Sequence, residues 1–279
     1  MNIITSVKDQ QDYCKVLLDN EKKISLIPTM GNLHPGHESL FKASADDEVR
    51  ISSVFVNPLQ FNDKEDYINY PKSLDRDIDI LKIHNIDCLF LPDEKDIISS
   101  NLDAIDYNLP EFTKVLCGKY RQTHFQGVFK IVKKLFEIIQ PTKAYFGKKD
   151  YQQLLLIKHL ARSFFDSRID IAACETIRER NGLAMSSRNN QLSYKQKELA
   201  SLAYKELYHL KLLMNDNIST FSKDRDRLIK KLADNNIKTE YLEILSRNNL
   251  SQPTKDKEQN NIFIAFYVNN IRLIDNLEI

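Results

Sequence analysis

The chain has 279 residues, which is enough for one large domain or two modest ones. Its 40 basic and 39 acidic residues give a net charge of +1, so overall charge gives no reason to expect nucleic acid or an anionic membrane as a partner. No apolar run has transmembrane length, and the polar first residues lack the apolar core of a signal peptide, so we expect a cytoplasmic protein. The four cysteines form no C-x-x-C pair, which argues against a structural zinc site.

Strands alternate with helices through the first part of the chain. Apolar runs predict strands at residues 24–27, 49–56, 87–91, 144–146 and 169–176. Helical spacing of apolar residues predicts helices at residues 9–20, 38–45, 72–84, 128–139 and 151–162. Such alternation is typical of an α/β fold with a doubly wound parallel sheet, in which ligands bind beyond the carboxyl ends of the strands.

The pattern changes near residue 175. Two lysine-rich amphipathic helices are predicted at residues 193–213 and 220–233, and three strands at residues 240–245, 262–268 and 271–274. Asn269 and Asn270 separate the last two strands and predict a hairpin turn. We therefore expect two domains, an α/β domain at residues 1–175 and a smaller α+β domain at residues 176–279, joined by a linker within residues 177–189.

Two histidines, His34 and His37, follow the first of these strands in a loop that contains Gly31 and Gly36. The loop leads into a predicted helix, and backbone N–H groups at a helix N-terminus favour phosphate. Glycine lets the backbone approach a phosphate closely, and imidazoles can donate hydrogen bonds to phosphoryl oxygens. This pattern predicts nucleotide chemistry at an α-phosphate. The alternative is that both histidines are ordinary surface residues.

Further polar residues follow other strands or lie in the linker. Lys149, in GKKDYQQ, can neutralise phosphate charge, although two adjacent lysines can also be merely solvated. Gln60 and Gln153 offer neutral donors and acceptors for a small polar substrate. The Ser-Ser-Arg sequence at residues 186–188 can bind nucleotide phosphates, but on its own a helix N-cap is the more common role.

Three other residues have simpler interpretations. Asp75 and Asp77 could reach a magnesium ion, but carboxylates at the start of a helix usually interact with its dipole. Cys117 lies beside Gly118 and has no base at a fixed spacing, so we expect a packed thiol and not a nucleophile.

Six motifs together carry a resemblance to a known family, and they occur in that family's order. They are PTMGNLHPGH at residues 28–37, VFVNPLQF at 54–61, YPKSLDRD at 70–77, RQTHFQGV at 121–128, FGKKDYQQ at 146–153 and ETIRERNGLAMSSRN at 175–189. The chain resembles the pantothenate synthetase (pantoate–β-alanine ligase) family. Two departures are mild: RQTH stands where the family usually has Arg-Pro-Gly-His, and Lys72 where it usually has arginine.

The resemblance implies a Rossmann-like fold of the nucleotidyltransferase type with a small C-terminal lid domain. It implies ATP-dependent condensation of (R)-pantoate with β-alanine to pantothenate, through a pantoyl adenylate, with release of AMP and pyrophosphate. It also implies Mg²⁺ and a homodimer, with no nucleic acid or membrane as partner. The resemblance does not identify the Mg²⁺ ligands.

The resemblance also implies roles for individual residues. His37 would be the proton donor, with His34 and Lys149 as further catalytic groups. Gln60 would contact pantoate and β-alanine, Gln153 would contact pantoate, and Arg121 would bind substrate. The ATP-binding residues would be Met30, Gly31, Asn32, Leu33, His34, Pro35, Gly36, His37, Gly147, Lys148, Lys149, Asp150, Ile177, Met185, Ser186, Ser187 and Arg188.

Two alternatives remain open from the sequence. Another adenylyltransferase of the same fold would share the H-x-x-H loop, but it would not need Gln60 and Gln153, and it would form a dinucleotide in place of AMP. A non-catalytic nucleotide-binding module would bind ATP without turnover. The presence of both histidines, Lys149 and the Ser-Ser-Arg sequence in one chain speaks against such a module.

Overall fold

A computed structural model of the chain describes residues 1–62, 64–98, 102, 105–213 and 221–279. Within these residues, six strands form one sheet in which all neighbouring strands are parallel. They are β1 (Asn2–Ile4), β2 (Ile24–Thr29), β3 (Val49–Val54), β4 (Cys88–Phe90), β5 (Lys143–Gly147) and β6 (Asp170–Cys174). The expected doubly wound parallel sheet is therefore confirmed.

The strand order is β1-β4-β3-β2-β5-β6, so the chain reverses its direction of growth between β2 and β5. In sheets of this kind, the loops that follow the two strands at such a switch point form a crevice for ligands. The edge strand β1 was not predicted, because three residues give too short a pattern. It pairs with β4, with Asn2 opposite Cys88.

Helices connect the strands of the parallel sheet. They are α1 (Val7–Asp19), α2 (Pro35–Ala43), α3 (Lys64–Ile68), α4 (Leu74–Ile83), α5 (Glu94–Ile97), α6 (Cys117–Tyr120), α7 (His124–Ile139) and α8 (Tyr151–Phe164). The five predicted helices are confirmed, but α2 and α7 begin three and four residues earlier than predicted. The short helices α3, α5 and α6 were not predicted, because four or five residues carry too little periodicity.

Among the described residues, the C-terminal part consists of an antiparallel sheet with two α-helices. Its elements are α9 (Tyr194–Leu213), α10 (Phe221–Asp234), β7 (Ile237–Ser246), β8 (Asn260–Val268) and β9 (Ile271–Glu278). Thr220, the predicted start of the second helix, lies outside the described residues. The predicted hairpin turn is confirmed: Val268 pairs with Ile271, and Asn269 takes a positive φ of 53°.

The antiparallel sheet packs against the carboxyl end of the parallel sheet. Tyr241 and Phe263 belong to the same apolar cluster as the core of the parallel sheet. The Asn276 side chain donates hydrogen bonds to the carbonyl oxygens of Lys148 (3.0 Å) and Lys149 (2.9 Å), just beyond β5. The antiparallel sheet therefore covers the end at which a ligand crevice is expected. In the part of the chain that the structure describes, no helix is long and apolar enough to cross a membrane.

Candidate active site

A cavity of about 290 Å³ lies between the two sheets, where the chain leaves β2 and β5. Two segments meet there: residues 30–37, which we call the histidine loop, and residues 147–150, which we call the lysine turn. The predicted site residues that line the cavity are Met30, His34, Gly36, His37, Gln60, Arg121, Gly147, Lys149, Asp150, Gln153, Ile177, Met185, Ser186, Ser187 and Arg188. Gly31, Asn32, Leu33, Pro35 and Lys148 are not among the lining residues.

The two histidines are fixed by the start of α2. His34 is the N-cap residue, and its Nδ1 accepts a hydrogen bond from the backbone N–H of Gly36 at 3.1 Å. The Nδ1 of His37 accepts one from the backbone N–H of His34 at 3.3 Å. Because each Nδ1 acts as an acceptor, each neutral ring carries its proton on Nε2. The ring centroids are 4.0 Å apart, so both Nε2–H groups are available to a single ligand group.

Both rings are neutral at physiological pH. Burial, followed by the charge of Lys149, lowers the pKa of His34 to about 4. Burial, with smaller contributions from His34 and Lys149, lowers the pKa of His37 well below its usual value. In the free protein the histidines are therefore neutral hydrogen-bond donors. The negative charge of a bound triphosphate would raise both pKa values.

The lowered pKa values make stability depend on pH. In the unfolded chain His34 titrates near 6.5, but in the folded protein only near 4, so between these values the unfolded state binds the additional proton. The free energy of unfolding should therefore fall as the pH is lowered through this window. We expect urea denaturation between pH 7.5 and 4.5 to show this loss, and His34→Asn, which retains an N-cap side chain, to show a shallower pH dependence. An identical pH dependence in the variant would contradict the assignment.

Gln60 also lines the cavity, in a 3₁₀ turn that follows β3. Its Nε2 contacts the sulfur of Met30, and its Oε1 accepts a hydrogen bond from Asn57 Nδ2 at 3.2 Å. The turn is pressed against α7 at Gly127, where an added Cβ would lie 2.3 Å from the carbonyl carbon of Leu59. Only glycine permits this approach, and it sets the depth of Gln60 in the cavity.

Arg121 places positive charge beside Gln60. Its Nη2 donates to the Gln60 carbonyl at 3.0 Å, and the neutral ring of His124 donates to the same oxygen from Nδ1 at 2.9 Å. These two groups are neutral, and the carboxylate of Asp66, which offsets part of the guanidinium charge, is itself paired with Arg188. Burial, followed by the charges of Arg188 and Arg272, lowers the pKa of Arg121 to about 10, and it stays protonated at pH 7. The part of the cavity around Arg121 and Gln60 therefore favours an anionic ligand.

The two adjacent lysines of the lysine turn point in different directions. Lys149 lines the cavity, its side chain is 19% exposed, and its Nζ lies 3.7 Å from the carboxylate of Asp150. Lys148 points away and forms ion pairs with Glu175 and with Glu278, the latter at 3.0 Å. One lysine is thus available to a ligand, and the other links β9 to the parallel sheet.

The Ser-Ser-Arg sequence enters the cavity from the linker. Ser186 caps a 3₁₀ turn by accepting from the backbone N–H of Arg188 at 3.3 Å, which is the N-cap role considered from the sequence. Ser187 donates to the carbonyl of Asn32 at 3.3 Å and so contacts the histidine loop. Arg188 lines the cavity and pairs with Asp66 at 2.8 Å.

The adjacent glutamines of α8 have different environments. Gln153 lines the cavity, whereas the buried Gln152 donates to the carbonyls of Phe112 and Val115 and accepts from the backbone N–H of Cys117. The expectation of a packed thiol is confirmed, because Cys117 is buried and its sulfur lies 3.2 Å from the hydroxyl of Tyr241.

Sequence reasoning missed three residues that shape the site. Asn57 and His124 position Gln60 and Arg121, but neither had a role when the motifs were read singly. Asp77, interpreted as a helix-dipole residue, is buried and accepts hydrogen bonds from the backbone of the histidine loop. Asn57 shares a motif with Gln60, but the contact of His124 with Gln60 and the contacts of Asp77 with the histidine loop join different motifs. Reading each motif alone could not reveal the contacts between motifs.

The described residues contain no group of three or more His, Cys, Asp or Glu residues placed to hold a metal ion. Mg²⁺ usually keeps several waters and binds through substrate phosphates and one or two carboxylates. Asp150, beside Lys149, is a carboxylate on the cavity lining. The site therefore fits a Mg²⁺ ion that arrives on a nucleotide.

Comparisons with known proteins agree with this geometry. A family model described as pantoate-beta-alanine ligase matches residues 2–278. The pantothenate synthetase of Sulfurihydrogenibium sp. (strain YO3AOP1) is 37% identical in an alignment of 281 positions that covers 100% of each chain. A pantothenate synthetase crystal structure from Thermus thermophilus has a TM-score of 0.89 at 30% identity and covers 100% of this chain and 99% of that one.

A third match concerns a ligand complex. The pantoate-beta-alanine ligase of Francisella tularensis, described as complexed with beta-gamma ATP and beta-alanine, has a TM-score of 0.83 at 38% identity. The match covers 100% of this chain and 97% of that one. These likenesses confirm the nucleotidyltransferase-type core with a small C-terminal α+β part that the motifs predicted.

Proposed function

Because the chain belongs to the pantoate–β-alanine ligase family and is an ATP-dependent ligase of pantoate and β-alanine, we propose that its reaction passes through an enzyme-bound pantoyl adenylate. In the first step the pantoate carboxylate attacks the α-phosphorus of ATP, and pyrophosphate leaves. In the second step the amine of β-alanine attacks the acyl carbon, the bond to the bridging oxygen breaks, and AMP leaves with that oxygen. The amine proton passes to solvent.

The observation that carries this proposal is the meeting of the histidine loop and the lysine turn at the switch point of the sheet. His34, His37 and Lys149 face one cavity and bring two neutral donors and one positive charge to it. Phosphoryl transfer depends mainly on positioning and on stabilising the charge that develops on phosphoryl oxygens. These three groups can supply both.

We assign Gln60, Gln153 and Arg121 to the two acid substrates. Gln60 and Gln153 would bind pantoate, and Gln60 would also contact β-alanine. Arg121 forms no salt bridge among the described residues, and its charge would attract a substrate carboxylate. The histidine loop, the lysine turn, Ile177 and residues 185–188 would bind ATP. No protein nucleophile is needed, which agrees with the burial of the Cys117 thiol.

In this proposal neutral His37 donates a hydrogen bond, and it does not act as a proton donor in the first step. With its pKa lowered in the free protein, it has no imidazolium proton to give at pH 7. Pyrophosphate leaves as a stable anion, so the first step does not require protonation of the leaving group. A hydrogen bond from Nε2 to a phosphoryl oxygen would stabilise the transition state more than the bound substrates.

Mg²⁺ would enter as part of the nucleotide complex and offset phosphate charge, with Asp150 as the carboxylate nearest Lys149. The C-terminal residues 176–279 would form a lid over the labile intermediate, hinged near Gly182. A homodimer and a cytoplasmic location are further proposals, which rest on the family resemblance.

The nucleotide product tests the proposed route. The purified protein would be incubated with ATP, Mg²⁺, pantoate and β-alanine, and the products separated by ion-exchange chromatography. We expect AMP in an amount equal to the pantothenate formed, with steady production only when both acids are present. ADP would indicate an acyl phosphate and overturn the route. Bound ATP with no product would favour a non-catalytic module.

A further inference from the structure

Asp77 lies in the first turn of α4, behind the histidine loop, and its residue is 1% exposed. One carboxylate oxygen accepts from the backbone N–H of Asn32 at 2.7 Å. The other accepts from the backbone N–H of Leu33 at 2.8 Å and from the hydroxyl of Ser73 at 3.0 Å. A buried carboxylate that accepts from two consecutive backbone amides forms strong, charge-assisted hydrogen bonds. It therefore holds this peptide segment in one position.

The loop needs such support because its backbone is unusual. Gly31 and Asn32 both have positive φ values, 76° and 50°, so the chain turns sharply after β2. The N–H groups of Asn32 and Leu33 bond to Asp77, not to a neighbouring strand or helix. Buried N–H groups require partners, and Asp77 supplies both. A Cβ on Gly31 would lie 3.0 Å from the Asp77 carboxylate, so the loop and the carboxylate are closely fitted.

The segment held by Asp77 leads directly into the catalytic groups. His34 follows Leu33 and caps α2, and the backbone N–H of His34 donates to the ring of His37. The carbonyl of Asn32 accepts a hydrogen bond from the hydroxyl of Ser187, so the same peptide also contacts the Ser-Ser-Arg sequence. A displacement of the Asn32–Leu33 peptide would move both imidazoles relative to the ligand cavity.

We propose that Asp77 is a positioning residue for adenylate formation. Its carboxylate fixes the backbone of the histidine loop so that His34 and His37 present their Nε2–H groups to the pyrophosphate that leaves ATP. The inference rests on the proposed function, because it assigns Asp77 to the first of the two chemical steps. Aminolysis of the completed adenylate does not require the histidines at the departing pyrophosphate, so Asp77 acts on the first step selectively.

The test is Asp77→Asn, which keeps the shape but turns an NH₂ group toward a backbone N–H. The first step is measured as pantoate-dependent exchange of labelled pyrophosphate into ATP. The second is measured as single-turnover reaction of supplied pantoyl adenylate with β-alanine. We expect the exchange rate to fall about 10- to 100-fold, as a small misplacement of catalytic groups does, while aminolysis stays within about two-fold.

Asp75→Asn is the matched control, since Asp75 lies in the same helical turn, carries the same charge and is exposed. It should leave both steps within about two-fold of the unsubstituted protein. Hydrogen exchange of the Asn32 and Leu33 amides should accelerate in Asp77→Asn and remain unchanged in Asp75→Asn. If Asp77→Asn does not fold, Asp77→Glu keeps the charge, shifts the oxygens and should show the same selective loss.

Equal losses in both steps would overturn the proposal and make Asp77 a residue of general stability. Unchanged pyrophosphate exchange in Asp77→Asn would overturn it as well. A lack of pantoate-dependent exchange in the unsubstituted protein would instead overturn the adenylate route. Amide exchange at Asn32 and Leu33 would then still show whether Asp77 fixes the loop, so the two failures are distinguishable.

Discussion

Replacing His37 with alanine is expected to lower the kcat of pantothenate formation by about 10²- to 10³-fold, and His34→Ala by a similar factor. Each ring is neutral, has its Nδ1 occupied by a backbone N–H, and directs its remaining donor to the ligand cavity. Alanine removes that donor without changing net charge. The KM for pantoate should change little, because the proposed pantoate contacts, Gln60 and Gln153, are not altered.

Alanine at position 34 also removes the N-cap of α2, which typically costs about 1 kcal/mol of stability. His34→Asn separates the two effects, because asparagine caps a helix well but is too short to reach the place of Nε2. We expect this variant to be as stable as the unsubstituted protein at pH 7 and as slow as His34→Ala. His209→Ala, on an exposed face of α9, is the control. Near-normal turnover of both alanine variants at positions 34 and 37 would remove the histidines from the mechanism.

The second large effect is expected at Lys149. Lys149→Ala should reduce kcat/KM for ATP by about 10²- to 10³-fold, because it removes a preorganised positive charge from the cavity that receives the phosphates. The adjacent Lys148 provides a matched control with the same side chain. Lys148 is not on the cavity lining, and its ammonium pairs with Glu278 and with Glu175, which does line the cavity.

Lys148→Ala should leave kcat/KM for ATP within a few-fold and instead lower the thermal midpoint slightly, since partly exposed ion pairs contribute little. Both variants would be assayed over a range of ATP concentrations at saturating pantoate and β-alanine. Equal losses in the two variants would mean that the lysine turn acts as a diffuse positive patch. A larger loss in Lys148→Ala would reverse the assignment.

The alternation of elements was predictable because the central strands of the parallel sheet, β2 to β5, are largely buried and read as mainly apolar runs. Val49–Val54 is buried along its whole length, and α7 has a continuous apolar face. The start of α2 was not predictable in the same way. Its first turn contains Pro35 and Gly36, and its N-cap is a histidine, which propensity arguments do not favour.

The sequence indicated the histidine loop, but not the state of its histidines. Their neutrality follows from burial and from the proximity of Lys149, which lies in the turn after a different strand. Nor could spacing decide between Lys148 and Lys149, because a 3₁₀ turn over Lys148–Asp150 sets which lysine faces the cavity. The role of Asp77 depends on contacts with residues 44 and 45 positions earlier in the chain.

The central claim is that the pantoate carboxylate forms a bond to the α-phosphorus of ATP. Pantoate labelled with ¹⁸O in both carboxylate oxygens tests it directly, with mass spectrometry of the nucleotide and phosphate products after complete turnover. The account predicts one ¹⁸O atom in each AMP and one in the amide carbonyl of the product. Label in inorganic phosphate with unlabelled nucleotide would contradict the account, because it would place the attack on the γ-phosphorus.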